Sequence, residues 1–470
     1  MAERGHRLTR RDFGKAALAT AALAGSGARA ASDAGRRPNI LVFIADDAGA
    51  RHFGCYGNAA VRTPHIDRLS AGGVTADNAM LTTPQCSPSR ISILTGLYPH
   101  ATGAEDLHMP MPERHTTVPG HLRKAGYFTG HMQKKHEGPH SDRQFDWYDP
   151  GMERFDAFLD AAGERPFFLW CAFDDPHRPY QPGTLPEPHD PGAVELPPYM
   201  ADTPETRADV ALYYDEIGRM DAVIGRFLRV LEARGLDEDT LVVFLSDNGA
   251  PFPREKGTVY DAGVCTPLIF RWPGVVPRGM RHDGLMSVID LAPTFLSLAG
   301  VEVPAEMHGE DLSAGLRDPS RWRRDAAFSE RNWHDCDEHI RSVRTPRYRL
   351  VHNAYIGLPF GSPADVSASP SWHALYALKQ EGRLSPAQSL LFAVPRPEIE
   401  FYDTVEDPWE ITNLAADPAY QPHIAEHYAM LAQWRADTGD FPSRRRRRGD
   451  YADRVTGVLY SLELPPMYDE

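Results

Sequence analysis

Three short stretches dominated by apolar and β-branched residues each run into acidic or amide residues. Pro38 to Ile44 (P-N-I-L-V-F-I) precedes Asp46-Asp47, Phe167 to Phe173 (F-F-L-W-C-A-F) precedes Asp175-Pro176-His177, and Thr240 to Leu245 (T-L-V-V-F-L) precedes Asp247-Asn248. A strand with one wet face alternates apolar and polar residues; a strand apolar on both faces must be covered on both, as in a parallel sheet. Helical stretches lie between them: Ser89 to Thr95, Thr117 to Ala125, and Thr206 to Arg234, where Tyr213, Ile217, Met220, Ile224, Phe227 and Leu231 recur at helical spacing. Buried strands alternating with amphipathic helices predict an α/β sandwich around a large, mostly parallel sheet. Beyond about Arg341 the pattern changes. Short alternating segments, Tyr348 to His352 and Ile399 to Asp403, predict a smaller antiparallel sheet, and His423 to Trp434 a terminal helix. The expected division is therefore a leader over residues 1–30, a catalytic domain over 31–340 and a C-terminal subdomain over 341–470.

The leader has its own signature. Thr9-Arg10-Arg11-Asp12-Phe13-Gly14-Lys15 precedes an Ala/Leu/Gly stretch that ends in Ala28-Arg29-Ala30. This is the pattern of a twin-arginine export signal with an A-x-A cleavage site, and its apolar run is too short to span a bilayer. The mature protein is expected to be periplasmic or secreted, with no membrane span. Residues 1–30 hold six Lys/Arg against two Asp/Glu, so their removal leaves a chain more negative than the formal −15 of the whole. A broad negative field disfavours nucleic acid as a partner and requires any anionic substrate to be held by a local basic pocket. The run Arg444 to Arg448 is more in keeping with a solvated tail than with such a pocket. Cys55, Cys86, Cys171, Cys265 and Cys336 are odd in number and lack C-x-x-C spacing, so neither a zinc cluster nor a disulfide framework is indicated.

In open parallel sheets, ligands bind beyond the carboxyl ends of the strands. Asp46, Asp47, Asp247 and Asn248 place hard oxygen donors at two such ends, a set suited to Ca²⁺ or Mg²⁺ and not to a soft metal. Taken alone, each pair reads sooner as a cap on a following helix or turn than as a metal site; it is the two pairs together with the chain's other motifs that turn the reading to a metal.

The segment Cys86-Ser87-Pro88-Ser89-Arg90, continued by Ile93-Leu94-Thr95-Gly96, resembles the signature of the type I sulfatases, whose cysteine is oxidised to Cα-formylglycine. The resemblance extends over nearly the whole mature chain. Gly126-Tyr127, Thr129, Lys134, His136 and Gly138 follow the family's G-Y-x-T…G-K-x-H-x-G segment, with Gln133 where a glycine is usual. Asp175-Pro176-His177 matches D-P-H, and Lys256-Gly257-Thr258 before Tyr260 matches K-G-T-x-Y. Tyr402-Asp403, Asp407-Pro408, Glu410 and Asn413-Leu414 resemble the family's C-terminal Y-D…D-P-x-E-x-x-N-L. The resemblance implies an alkaline-phosphatase-like sandwich and one divalent cation, Ca²⁺ first and Mg²⁺ second, on Asp46, Asp47, Cys86, Asp247 and Asn248. It further implies a formylglycine at position 86 installed by a formylglycine-generating enzyme. Arg90 would hold the nucleophile's hydroxyl, and Lys134 and Lys256 would stabilise transition-state charge. His136 would serve as base for releasing sulfate, and His177 as acid for the leaving atom.

Local agreements such as Lys134-Lys135-His136 with Gly138-Pro139, Asp175 to Arg178, and Ser246 to Gly249 followed by Pro251-Phe252-Pro253 look like the sulfamidase (heparan N-sulfatase) branch. The implied partner is a sulfated sugar or glycosaminoglycan fragment, with Arg178, His334 and Asp335 as candidates to read the sugar; a homodimer is left open. Two departures stand against that branch: Lys256 takes the place in the sulfate pocket where the resemblance implies an arginine, a flexible ammonium recognising an oxyanion differently from a planar fork, and the loop Glu330 to His339 does not match well. A glycan O-sulfatase, an arylsulfatase and a phosphoester or phosphonate monoester hydrolase of the same superfamily therefore stay open. A sugar-binding protein without catalysis is disfavoured by the presence of Cys86 and its basic neighbours.

Overall fold

The computed structural model describes residues 37–357 and 359–440; the expected leader and the Arg444 to Arg448 run lie outside them. Eight strands form the large sheet: β1 (Asn39–Ala45), β2 (Val74–Met80), β3 (Phe128–Gln133), β4 (Trp147–Asp149), β5 (Phe167–Ala172), β6 (Thr240–Ser246), β7 (Cys265–Arg271) and β8 (Met280–Ser287), in the order β4-β3-β5-β1-β6-β7-β2-β8. All pairings are parallel except the two made by β7. The three apolar runs of the sequence are its three central neighbours, β5, β1 and β6. Their lack of alternation has a direct cause in β1: Leu41, Phe43 and Ala45 enter one hydrophobic core with Tyr213, Ile217 and Phe227 of the long helix Pro204–Ala233, while Ile40, Val42 and Ile44 enter a second on the opposite face.

The register matters most for function. Ile44 pairs with Ala172 of β5, and Ala45 with Ser246 of β6, so the carboxyl ends of the three strands finish side by side. The acidic and amide residues that follow each strand are thereby delivered to one place.

A second, four-stranded antiparallel sheet has the order β12-β11-β10-β9, with β9 (Ala327–Arg331), β10 (Ile340–Arg344), β11 (Tyr348–Asn353) and β12 (Ile399–Asp403). The helix Gln421–Thr438 packs on it through Leu431 and Trp434. This sheet begins at Ala327, so position 340/341 falls within β10 and not between two units of structure.

Candidate active site

The site is built from chain reversals at the strand ends. Asp47 takes a left-handed conformation, φ 70°, which turns its N–H onto Asp247 Oδ1 at 3.1 Å. Tyr213 of the long helix donates its hydroxyl to the Asp47 carbonyl at 3.0 Å and fixes the turn from below. Gln133, at the end of β3, is likewise left-handed (φ 64°), which gives a physical reason for glycine to be usual there. The next residue, Lys134, extends the β3–β5 ladder through its N–H to Ala172 O and sends its ammonium to Asp46 Oδ2.

Cys86 is the first residue of the helix Cys86–Thr95, all of whose residues are buried. Arg90 lies one turn on, on the same face. Its Nε donates to Asp247 Oδ2 at 2.7 Å and a terminal nitrogen stands 3.7 Å from Asp46 Oδ1. Cys86 Sγ is 3.7 Å from Asp47 Oδ1, and Asn248 Nδ2 donates to that same oxygen at 2.7 Å. Lys256 Nζ bridges Asp47 Oδ2 and Asp365 Oδ2, at 2.7 Å each. His177 Nε2 stands 3.8 Å from each of those two oxygens. Its Nδ1 faces the Arg178 carbonyl and so carries a proton, leaving Nε2 as the nitrogen turned to the site.

Burial alone would raise the Asp46 carboxyl, but Lys134 and Arg90 outweigh it and hold the group far below the usual range. Asp247 goes the other way. Burial pushes it up to about 6 against the pull of Arg90, with the Asp46 and Asp47 carboxylates adding to the rise. Four carboxylates, those of Asp46, Asp47, Asp247 and Asp365, thus face three fixed cations, Arg90, Lys134 and Lys256.

The donor set fits a hard divalent cation. Asp46, Cys86 and Asp247 offer ligand atoms within 4.8 Å of one another, as do Asp46, Asp47 and His177. Asp46 Oδ1 and Asn248 Oδ1 are buried and accept no hydrogen bond among the described residues. Buried oxygens in that condition are costly unless a cation takes them.

His136 is joined to this group through its neighbours. Its Nε2 meets Nδ1 of His108 at 2.8 Å, and burial, with Lys134 and Arg90 nearby, lowers its pKa to about 2, so the ring is neutral. Of the proposed sugar readers, His334 and Asp335 pair with each other at 2.9 Å, and Asp335 also accepts the Ala364 N–H, beside Asp365. Arg178 is held by Asp209 in a two-point pair, 2.7 Å on each arm, over the Tyr180 ring, and braces the wall of the site. Asp365 and His108 had no signal in the sequence. Asp365 sits in the one-turn helix Ala364–Ser367, within a Gly/Ser/Pro-rich stretch over a hundred residues from Lys256, and His108 belongs to no repeated spacing or motif.

A family model described as "Sulfatase" matches residues 38–301, and one described as "N-sulphoglucosamine sulphohydrolase, C-terminal" matches residues 254–358. The chain belongs to the sulfatase family and is a hydrolase of sulfuric esters or sulfamates. Among its relatives, human N-sulphoglucosamine sulphohydrolase is 32% identical over 460 residues, covering 86% of this chain and 91% of that protein. A solved structure of a protein in complex with its substrate D-glucosamine-2-N,6-O-disulfate superposes with a TM-score of 0.65 at 21% identity, covering 86% of this chain and 99% of that one. The phosphonate monoester hydrolase of Agrobacterium radiobacter shares the fold to a similar degree, with a TM-score of 0.66 at 21% identity, 86% of this chain and 96% of that one.

Proposed function

We propose that this protein removes sulfate from sulfated sugars, with N-sulfoglucosamine residues of heparan sulfate or heparin as its substrate, and that Cys86 acts after conversion to Cα-formylglycine. The observation that carries the proposal is the meeting of Cys86 with Asp46, Asp47, Asp247, Arg90, Lys134 and Lys256 at three adjacent strand ends. An unmodified Cys86 is poorly suited to attack: burial pushes its thiol well above the usual value, Lys256 opposing, and the thiolate is the reactive form. A hydrated aldehyde at this position would offer two hydroxyls on one carbon, one to attack sulfur and the other to expel sulfate afterwards.

The remaining groups then have definite tasks. Lys134 and Lys256 hold the sulfate oxygens as charge gathers on them, a contribution that is large because it is fixed in advance. Arg90 orients the group at position 86. As the imidazolium, with its Nδ1–H kept on the Arg178 carbonyl, His177 would deliver the Nε2 proton to the departing nitrogen or oxygen and be left neutral. His136, neutral and buried, accepts the proton released when sulfate leaves. Asp46, Asp47, Asp247 and Asn248 would hold Ca²⁺, or Mg²⁺ in its place, which when bound lowers the pKa of a hydroxyl and polarises sulfate oxygens. Elemental analysis of active protein should find calcium or magnesium that is lost in Asp247→Asn.

The discriminating experiment compares kcat/KM on N-sulfoglucosamine and on 6-O-sulfated N-acetylglucosamine. The proposal expects sulfate and free amine from the first. The ammonium of Lys256 is the feature that favours the second reading, a glycan O-sulfatase, which prevails if only the O-sulfated sugar is hydrolysed. Export follows the same logic: changing Arg10 and Arg11 to lysine should retain the precursor inside the cell, and unchanged export would exclude a twin-arginine route.

A further inference from the structure

A second group of lone pairs lies behind the active-site loop. His131 of β3, Glu137 and Asp142 each offer one ligand atom, and the three atoms are within 4.8 Å of one another. His131 and Glu137 are 1% exposed. The His131 ring is set by Phe145 (5.0 Å between centroids) and Tyr148 (5.9 Å), and its Nε2 lies 2.9 Å from the Lys134 carbonyl. A carbonyl only accepts, so Nε2 carries the proton and Nδ1 of the neutral ring presents a lone pair. That Nδ1 has no hydrogen-bond partner among the described residues, and neither do Glu137 Oε1 and Asp142 Oδ1, all three being buried atoms. Each residue's other polar atom is occupied: Glu137 Oε2 accepts the His136 N–H at 3.0 Å, and Asp142 Oδ2 stands 3.4 Å from Lys135 Nζ. Unpartnered acceptors drawn together in the interior repel one another unless a cation sits among them.

We propose that His131, Glu137 and Asp142 form a second metal site, distinct from the hard-oxygen centre at Asp46 and Asp47, and that it takes Zn²⁺. One imidazole nitrogen and two carboxylate oxygens are a mixed donor set of the kind zinc accepts, with a water completing four-coordination, whereas Ca²⁺ takes six to eight oxygens. The site ties down the active-site loop from behind. Its ligands hold the Lys134 carbonyl, Lys135 ammonium and His136 N–H through their outer atoms, so the metal fixes the segment whose Lys134 and His136 side chains serve the reaction. His131, which donates its other N–H outward to a carbonyl, is oriented and made more basic by that bond, and the two carboxylates are oriented by the donors they face.

The test uses the full chain, stripped with a chelator, re-equilibrated with excess Ca²⁺ and stoichiometric Zn²⁺, and freed of unbound metal. Wild type should retain one zinc beside its calcium and unfold at a higher temperature than the same protein given Ca²⁺ alone. Glu137→Gln and Asp142→Asn should each weaken zinc retention about 10-fold or more with calcium content unchanged. Asp142 is at the rim of the group, with its side chain 25% exposed, so that variant keeps the test decisive even where Glu137→Gln folds poorly. X-ray absorption at the zinc edge should show a nitrogen and oxygen shell without sulfur. No retained zinc in wild type, retention undiminished in both variants, or a sulfur shell pointing to a cysteine would each overturn the proposal.

Discussion

At the residue scale, the site depends on a few side chains whose chemistry cannot be exchanged. Cys86→Ala removes one sulfur from a helix that is otherwise buried and should abolish sulfate release, by on the order of 10³-fold or more, while the melting temperature moves little. Near-normal release would remove Cys86 from the mechanism. Intact mass of the wild type should show the loss expected for thiol-to-aldehyde conversion. Lys256→Gln should lower kcat by about 10²-fold, the usual cost of removing a preorganised charge from an oxyanion site. Asp365→Asn tests the residue that no motif announced. It acts on Lys256 through a 2.7 Å contact, so its effect, about 10-fold, should largely vanish in the Lys256→Gln background. Two effects that simply multiply would show Asp365 acting elsewhere. The contrast with Asp46 or Cys86 explains what was legible. Those residues sit in short motifs directly after a strand or at a helix start, so local pattern and chemistry coincide. Asp365 reaches Lys256 only through the tertiary placement of the one-turn helix Ala364–Ser367, and a sequence carries no local trace of such a meeting.

Among the elements, the same division holds. The strands β1, β5 and β6 and the long helix Pro204–Ala233 could be read closely because burial on two faces, or on one helical stripe, leaves an unbroken or periodic apolar pattern. The strand β2, V-T-A-D-N-A-M, mixes polar residues and carries a register irregularity between Ala76 and Ala79, and β7 runs antiparallel between two parallel neighbours. Neither property follows from composition. Also invisible in the sequence is how the long helix supports a shorter one. Asp221 accepts the His65 N–H at 3.1 Å and the Ile66 N–H at 2.8 Å, the free donors at the start of the helix Pro64–Ala71, whose own Thr63 makes no side-chain cap bond. Capping is thus supplied from another element. Asp221→Ala should destabilise the protein by about 1–3 kcal/mol, because two buried donors lose their acceptor, and Asp221→Asn should recover much of that. Equilibrium denaturation measures both; an alanine variant as stable as wild type would mean that water replaces the cap without cost.

For the molecule as a whole, the question is how the small sheet is fastened to the large one. A buried ion pair crosses between them, Arg349 of β11 with Asp261 ahead of β7; Glu410, and Asp440 at 2.9 Å from Arg341 of β10, brace the small sheet from its own side. An aromatic cluster completes the joint. Trp434 meets Tyr98 edge-on at 5.1 Å and stacks on Phe328 at 5.1 Å, and His308 lies over Tyr98 at 5.6 Å. His308 Nδ1 accepts the Tyr98 backbone N–H at 3.3 Å, which requires an unprotonated nitrogen. Burial, with the His100 ring adding and Glu330 opposing, lowers the His308 pKa from 6.5 to about 4. The sign of the consequence follows. Below pH 6.5 the unfolded chain takes a proton on His308 that the folded chain refuses until about pH 4, so this group's contribution to stability is complete above 6.5 and is lost as pH falls through that window. His308→Asn keeps an acceptor for the Tyr98 N–H but does not titrate. Its stability deficit relative to wild type at pH 7 should therefore narrow between pH 6.5 and 4, by at most about 1 kcal/mol per pH unit given the partly exposed ring. Melting temperatures of the two proteins across that range supply the measurement, and a constant difference would show that protonation of His308 is not what loosens the joint in acid.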